Sequence, residues 1–193
     1  AAVAAGDIAL KDSTCPAIHA GLQAAEKGVP FMPLRGILGS DLLEHRPDWR
    51  VTANPFAADG KDDPIVLLPA IRPDVALFHA PLADRAGNVW IGVRRELMTM
   101  AHASRRCLVT VERVVDENLL ADARTAAGVI PALYISALAE APGGARPLGL
   151  FGCYPPDRAL LARYAALAKT AAGFEAFLAD WLAPERRRTA ADG

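Results

Sequence analysis

The sequence predicts an α/β fold built on an open, mostly parallel sheet with helices on both faces. Three observations point there. Short apolar runs alternate along the 193 residues with segments whose apolar positions recur at helical spacing. Two runs, IVLLPAI (65–71) and DVALFHA (74–80), are continuously apolar, as strands covered on both faces are. Turn formers separate the segments, most densely in NPFAADGKDDP (54–64), which reads as an exposed excursion. With 52% hydrophobic and 22% charged residues the chain can bury a core as one globular domain, expected over 1–183 with a polar tail at 184–193.

The elements follow in order. DIAL (7–10) reads as a short strand. Ser13 or Thr14 then supplies an N-cap, Pro16 falls in the first turn, and Ile18, Leu22 and Ala25 repeat at helical spacing until Gly28 stops the helix before Pro30. PFMP (30–33) and RVTA (50–53) read as strands around GILGSDLLEH (36–45), a loop with one helical turn. After the two apolar runs, NVWIG (88–92) is a further strand, and Leu97, Met100 and Ala101 mark a helix lying on the sheet. CLVTVERVV (107–115), rich in β-branched residues, is the clearest strand. A linker over 116–131 leads to ALYISALAEA (132–141), which fits strand or helix. Two helices, 157–169 and 171–182, follow, the first carrying Leu160, Leu161, Tyr164 and Leu167 on one face. The opening AAVAAGDIAL has no initiator Met and enters a strand-like run at once, so an N-terminal portion is expected to be missing from this numbering.

Composition and motifs exclude several function classes. With 21 basic against 22 acidic residues, no overall field draws nucleic acid or an anionic membrane, and the Arg186–Arg188 cluster reads as a solvated end. No apolar run reaches the ~18 residues that a spanning helix needs. Three widely spaced cysteines without a CxxC fit a reducing compartment better than a disulfide framework or a zinc site, so a cytoplasmic location is expected. No two of the 15 glycines are spaced as GxG, no Gly-Lys-Ser/Thr closes a phosphate loop, and GxSxG and HExxH are absent. His19, His45, His79 and His102 lack ligand spacing and read as structural or surface groups, so no metal is expected.

In open α/β sheets ligands sit outside the carboxyl ends of the strands. That selects the loops KDSTCP, LRGILGSD and HAPLADRAGN. Asp12, beside a helix N-terminus, either favours the positive end of that helix or works on a substrate proton. Ser13 stands next to it. Arg35, before Gly36, is either a surface charge or a holder of a carboxylate or phosphate. Asp84 and Asn88 are expected to build a turn, Asn tolerating positive φ and Asp accepting local amide donors. Glu112, within an apolar strand, must reach an edge or be paired inside.

Five stretches in this order, GVPFMPLRGILGSDLL, LPAIRPDVALFHAPLADRAGNVWIG, CLVTVERVVD, IPALYISALAEAPGGARP and GCYPPDRALLARY, resemble the A subunit of family I coenzyme A transferases. The likeness runs from about Gly6 to about Lys169 and is nearest to the glutaconate type, which includes hydrolases of steroid-ring degradation. The resemblance implies an open α/β fold, acyl-CoA and a carboxylic acid as substrates, and covalent catalysis by a glutamate of a partner B subunit. No Glu-Asn-Gly-like stretch occurs here, so the chain alone is expected to be inactive, completing its site in an A2B2 heterotetramer. On this alignment Asp12 is the catalytic candidate, standing where relatives commonly have Glu. Ser13, Arg35 and Gly36 are the substrate-binding candidates. A CoA-thioester hydrolase and a non-catalytic binding member of the same fold are the alternatives.

Overall fold

A computed structural model describes residues 2–183, so the polar tail lies outside the described residues. The chain forms two compact units, one built from the residues up to Ala76 together with Met98–Arg105, the other from Leu77–Leu97 and the residues from Arg106 on.

The first unit opens with a single helical turn, α1 (Ala2–Ala5). Residues 7–10, expected as a strand, are irregular and exposed, because no neighbouring strand pairs with them. Helix α2 (Cys15–Glu26) starts as its sequence requires: the Thr14 hydroxyl accepts the Ala17 N–H and Pro16 occupies the first turn. It ends at Gly28, whose φ of +69° is the left-handed stop a side chain would oppose. Its buried face is Ala17, Ala20, Ala24 and Ala25 with Gly21; of the expected Ile18, Leu22 and Ala25 stripe, Ala25 is buried, Leu22 is half-buried and Ile18 is exposed. Small residues there let the helix lie close to the strands beneath.

Those strands are β1 (Phe31–Leu34), β2 (Arg50–Ala53) and β3 (Pro64–Pro69), with the short helix α3 (Leu42–His45) between the first two. β3 is central, and both neighbours are antiparallel to it. Alternation divides the sheet into two faces. Val66 and Leu68 join Ala17, Ala20, Ile37 and Trp49 in the core, with Met32 and Leu34 packed against them. Phe31, Pro33, Leu67 and Thr52 fall on the opposite face.

The second unit takes most of β4 (Val75–Asp84), followed by β5 (Val89–Trp90) and, after α4 (Glu96–Ala103), most of which belongs to the first unit, β6 (Arg106–Val115). The stretch expected as a linker contains α5 (Ala123–Ala126) and β7 (Val129–Ile130), too short to give a periodic signal. The ambiguous 132–141 resolves into a 3₁₀ turn and β8 (Ala137–Glu140). Helices α6 (Arg158–Leu167) and α7 (Ala171–Trp181) pack through Tyr164 against Phe177, ring centroids 5.1 Å apart. The sheet order is β7-β5-β4-β6-β8.

The α/β class and the open sheets stand as expected, and the strand directions are mixed. β6 and β8 are parallel, joined by the long 116–136 connection, whereas β4–β5 and β5–β7 are antiparallel. The reason for the first reversal is the DRAGN turn. Gly87, at φ +87°, closes a three-residue hairpin loop in which the Asp84 N–H donates to the Asn88 carbonyl and the Asp84 carbonyl accepts the Gly87 N–H, a connection far too short for a parallel crossover. Asp84 and Asn88 are both buried and build the turn as expected.

Candidate functional site

The face of the first sheet turned away from α2 is concave. A groove of about 690 Å³ runs along it, floored by Pro33, Ile65 and Leu67 and flanked by Phe31 and Phe56. That volume lies in the range of small-molecule sites, which are mostly apolar with a few placed polar groups. The polar groups here are Arg35, Thr52 and Asn54. Phe56 is placed by the 54–64 excursion, where the Asn54 side chain accepts the Phe56 N–H at 3.0 Å and the Asn54 N–H reaches the Asp63 carbonyl at 2.9 Å.

Arg35 donates from Nη2 to Asp63 Oδ2 at 2.6 Å, and Asn54 Nδ2 donates to the same oxygen at 2.7 Å. The Arg35 side chain remains 59% exposed, so its planar fork can accept a second carboxylate beside Asp63. Gly36 has an ordinary backbone and open space around it, and it does not line the groove. No geometric demand for glycine is visible there.

Asp12 and Ser13 lie apart from the groove lining, on the exposed approach to α2. The Asp12 carboxylate accepts the Ser13 N–H at 2.8 Å, and the Ser13 hydroxyl faces the Thr14 carbonyl at 3.5 Å. What fixes this loop is Arg46. Its Nη1 donates to the Asp12 carbonyl at 2.9 Å, Nε and Nη2 form a two-point pair with Asp48 at 2.9 and 2.8 Å, and the guanidinium lies 4.1 Å over the Trp49 ring. The Arg46 hydrogen bond holds the Asp48 carboxyl at about 2, against a smaller opposing push from burial.

No family model matches the chain. It is 34% identical over 163 residues to the A subunit of the 3-oxoadipate CoA-transferase from Pseudomonas knackmussii, an alignment covering 82% of this chain and 54% of that relative. The glutaconate coenzyme A-transferase structure from Acidaminococcus fermentans superposes with a TM-score of 0.82 at 29% identity, covering 94% of this chain and 61% of that one. The chain is a homologue of CoA-transferase A subunits. It is also 32% identical to the cholesterol ring-cleaving hydrolase IpdA subunit of Rhodococcus jostii, over 92% of this chain and 62% of the relative. The chain thus spans between about half and two thirds of the length of these relatives.

In this homologue of the A subunits, the groove brings together only Arg35 of the four candidates named from sequence. Asp12 and Ser13 share a second loop, and Gly36 is a neighbour without a visible contact. Among the described residues no three His, Cys, Asp or Glu side chains group to hold a metal, and no helix is long and apolar enough to cross a membrane. The three cysteines are free.

Sequence reasoning missed Arg46 and the groove. The signal for Arg46 was the compact Arg-Pro-Asp-Trp stretch at 46–49, in which a two-residue spacing lets the guanidinium reach the carboxylate. Replacing Arg46 with alanine is expected to cost about 2 kcal/mol, the scale of a charge-assisted hydrogen-bond pair, read as a lower urea midpoint. The pH dependence has a definite sign. Asp48 is held below its usual value, so its contribution is full above about pH 3.8 and is lost as pH falls through about 2. Arg46→Ala removes that acid-side loss.

Proposed function

We propose that the chain is the A subunit of a cytoplasmic CoA-transferase that moves CoA between an acyl-CoA and a carboxylic acid, with residues 1–183 forming one member of an A2B2 assembly. The observation that carries this reading is the alignment with the A subunit of a CoA-transferase over 82% of the chain. The groove gives it a physical site. Its apolar floor suits the hydrocarbon part of an acid, and Arg35 stands at its edge to hold a carboxylate.

The chemistry belongs to a partner B subunit, whose glutamate carboxylate attacks the acyl-CoA carbonyl and expels the CoA thiolate, leaving an acyl-glutamyl anhydride. The thiolate attacks the glutamyl carbonyl, releasing the first acid and leaving an enzyme thioester that the second acid opens by the reverse steps. In this scheme the present chain binds and orients the acid, and Asp12 supplies a carboxylate on a loop held by Arg46.

The test is to co-express the chain with its partner, incubate with acyl-CoA, and trap the enzyme thioester with borohydride. A trapped thioester on the partner supports the proposal. Acyl-CoA hydrolysis without exchange between acids favours the hydrolase reading, for which the Rhodococcus relative is the specific support. In the assembled enzyme, Arg35→Ala is expected to raise KM for the acid by about 10- to 100-fold with kcat little changed, since a carboxylate clamp contributes equally to ground and transition states. An unchanged KM removes Arg35 from the site.

A further inference from the structure

In the second unit, one carboxylate gathers an unusual number of partners. Glu112 Oε1 faces His79 Nε2 at 2.5 Å and accepts the Tyr154 hydroxyl at 2.7 Å, while Oε2 accepts the Gly143 N–H at 2.8 Å. The carboxylate has no proton to give, so the imidazole carries its proton on Nε2. His79 Nδ1 lies 2.8 Å from the Thr110 hydroxyl, so both ring nitrogens have a partner. Tyr154 is fixed from behind, where the Ala145 N–H donates to its oxygen at 3.0 Å.

Two of these partners, Gly143 and Tyr154, belong to residues 142–156, which leave the end of β8 and return before α6. None of those fifteen residues is fully buried; Leu148 and Phe151 are exposed. Apart from Glu112, the segment's hydrogen bonds among the described residues close within itself or at its ends. Leu150 and Tyr154 exchange backbone bonds, and Cys153 and Arg146 donate to Leu150 and Gly143. The contact with β4 is also shaped for closeness. Gly143 has a φ of +71°, and a Cβ on Gly144 would stand 2.7 Å from His79 Cε1. A segment with few buried contacts and one polar anchor belongs to the low-stability end of a fold.

We propose that residues 142–156 form a strap latched to the sheet through the Glu112 carboxylate, and that the strap opens when Glu112 takes up a proton while the strands beneath stay folded. This stands apart from the transferase reading, because the latch involves neither the groove nor Asp12. The titratable groups against the carboxylate are His79 on β4 and Tyr154 on the strap, with Cys153 beside Tyr154; Arg113 follows Glu112 along β6 and so points to the other face. Arg146 lies 5.2 Å over the Tyr154 ring. From β8, Glu140 is turned to the Val114 N–H at 2.8 Å.

The directions of titration agree with a latch. Burial pushes the Glu112 carboxyl up, but donors from Gly143, Tyr154 and His79 together bring it below its usual value. Burial and the Glu112 hydrogen bond push Tyr154 up to about 12. Glu112's contribution is therefore full above about pH 4.5 and lost as pH falls through its lowered value. Tyr154's is full below about pH 10 and lost as pH rises through about 12.

Hydrogen exchange on the full chain tests this, with rates corrected to protection factors. The amides of Gly143, Leu150, Cys153 and Tyr154 are expected to lose about 10- to 100-fold protection, the scale of a hydrogen bond to a charged group, between pH 7 and a pH below 4. The amides of β4 and β6 are expected to keep theirs. Glu112→Gln is expected to show the acid-level protection already at pH 7, and Tyr154→Phe a smaller loss. Unchanged strap protection, or strap and sheet opening together in the wild-type pH series, overturns the proposal, as does a folded Glu112→Gln variant with full protection at neutral pH. The wild-type series decides by itself if that variant does not fold.

Discussion

Replacing Asp84 with alanine is expected to destabilise the protein by about 3–5 kcal/mol, the cost of removing one partner from a buried charged hydrogen-bond cluster. Asp84 is 2% exposed and accepts three donors: the Asn88 N–H and Nδ2 at 2.9 Å each, and the Leu119 N–H at 3.2 Å. Alanine leaves all three without an acceptor in a space water does not readily fill, and each orphaned donor costs about 1–3 kcal/mol. The consequences spread, because Asn88 Oδ1, held in place by Asp84, accepts the Ala132 N–H at 2.9 Å next to β7. Asn88→Ala keeps the Asp84 contact with Leu119 and with the backbone N–H of residue 88, so its loss is expected to be smaller, about 1–2 kcal/mol. Urea unfolding at pH 7 measures both. A loss under about 1 kcal/mol for Asp84→Ala, the size of an ordinary neutral hydrogen bond, contradicts the cluster's structural role. Burial pushes the Asp84 carboxyl up, but the donors from Asn88, Leu119 and Ala86 outweigh it and leave it below its usual value. Its stabilisation is thus present above about pH 3.8 and fades as pH falls through the lowered value, and the alanine variant lacks that fading.

The same turn shows how much of the fold was legible. Asp, Gly and Asn at 84, 87 and 88 carry local chemistry, an acceptor, a positive φ and a donor pair, so the turn could be read without knowing anything distant. The cap and stop of α2 at Thr14 and Gly28 were legible for that reason too. Strand direction was not. IVLLPAI and DVALFHA are apolar throughout, which suits a parallel strand covered on both faces. It equally suits β3, an antiparallel strand with α2 on one side and an apolar groove on the other. DIAL had the composition of a strand but no strand to pair with, and pairing is decided far along the chain. The site divides the same way. Arg35 was reachable from its loop, while its companions Thr52, Asn54, Phe56 and Leu67 come from three other segments and meet only through the register of β1, β2 and β3. Glu112 was expected to be paired or at an edge; its partners His79, Gly143 and Tyr154 lie about thirty to forty positions away in sequence.

Adjacent residues of β3 lie on opposite faces of the sheet. Leu68 is 1% exposed and packs in the cluster with Ala17, Ala20, Trp49 and Val66. Leu68→Ala is expected to cost about 2–5 kcal/mol, toward the upper end. The site can collapse little, because the helix face opposite is made of alanines that have no longer side chain to swing into the cavity, and Trp49 is held by Arg46. Leu67 points the other way and floors the groove, where its methyl groups meet a space already open. Leu67→Ala leaves no sealed cavity, so its stability loss is expected to be less than half that of Leu68→Ala. It also deepens the groove by roughly the volume of the lost methine and two methyl groups. If the groove holds the hydrocarbon part of the acid, Leu67→Ala changes the ranking of acids by chain length, whereas Leu68→Ala, measured at a temperature where it is folded, leaves that ranking as it was. Denaturant midpoints and kcat/KM over a series of acids check the two halves independently. Equal stability losses contradict the two-faced sheet; an unchanged ranking in Leu67→Ala contradicts the groove as the acid's site.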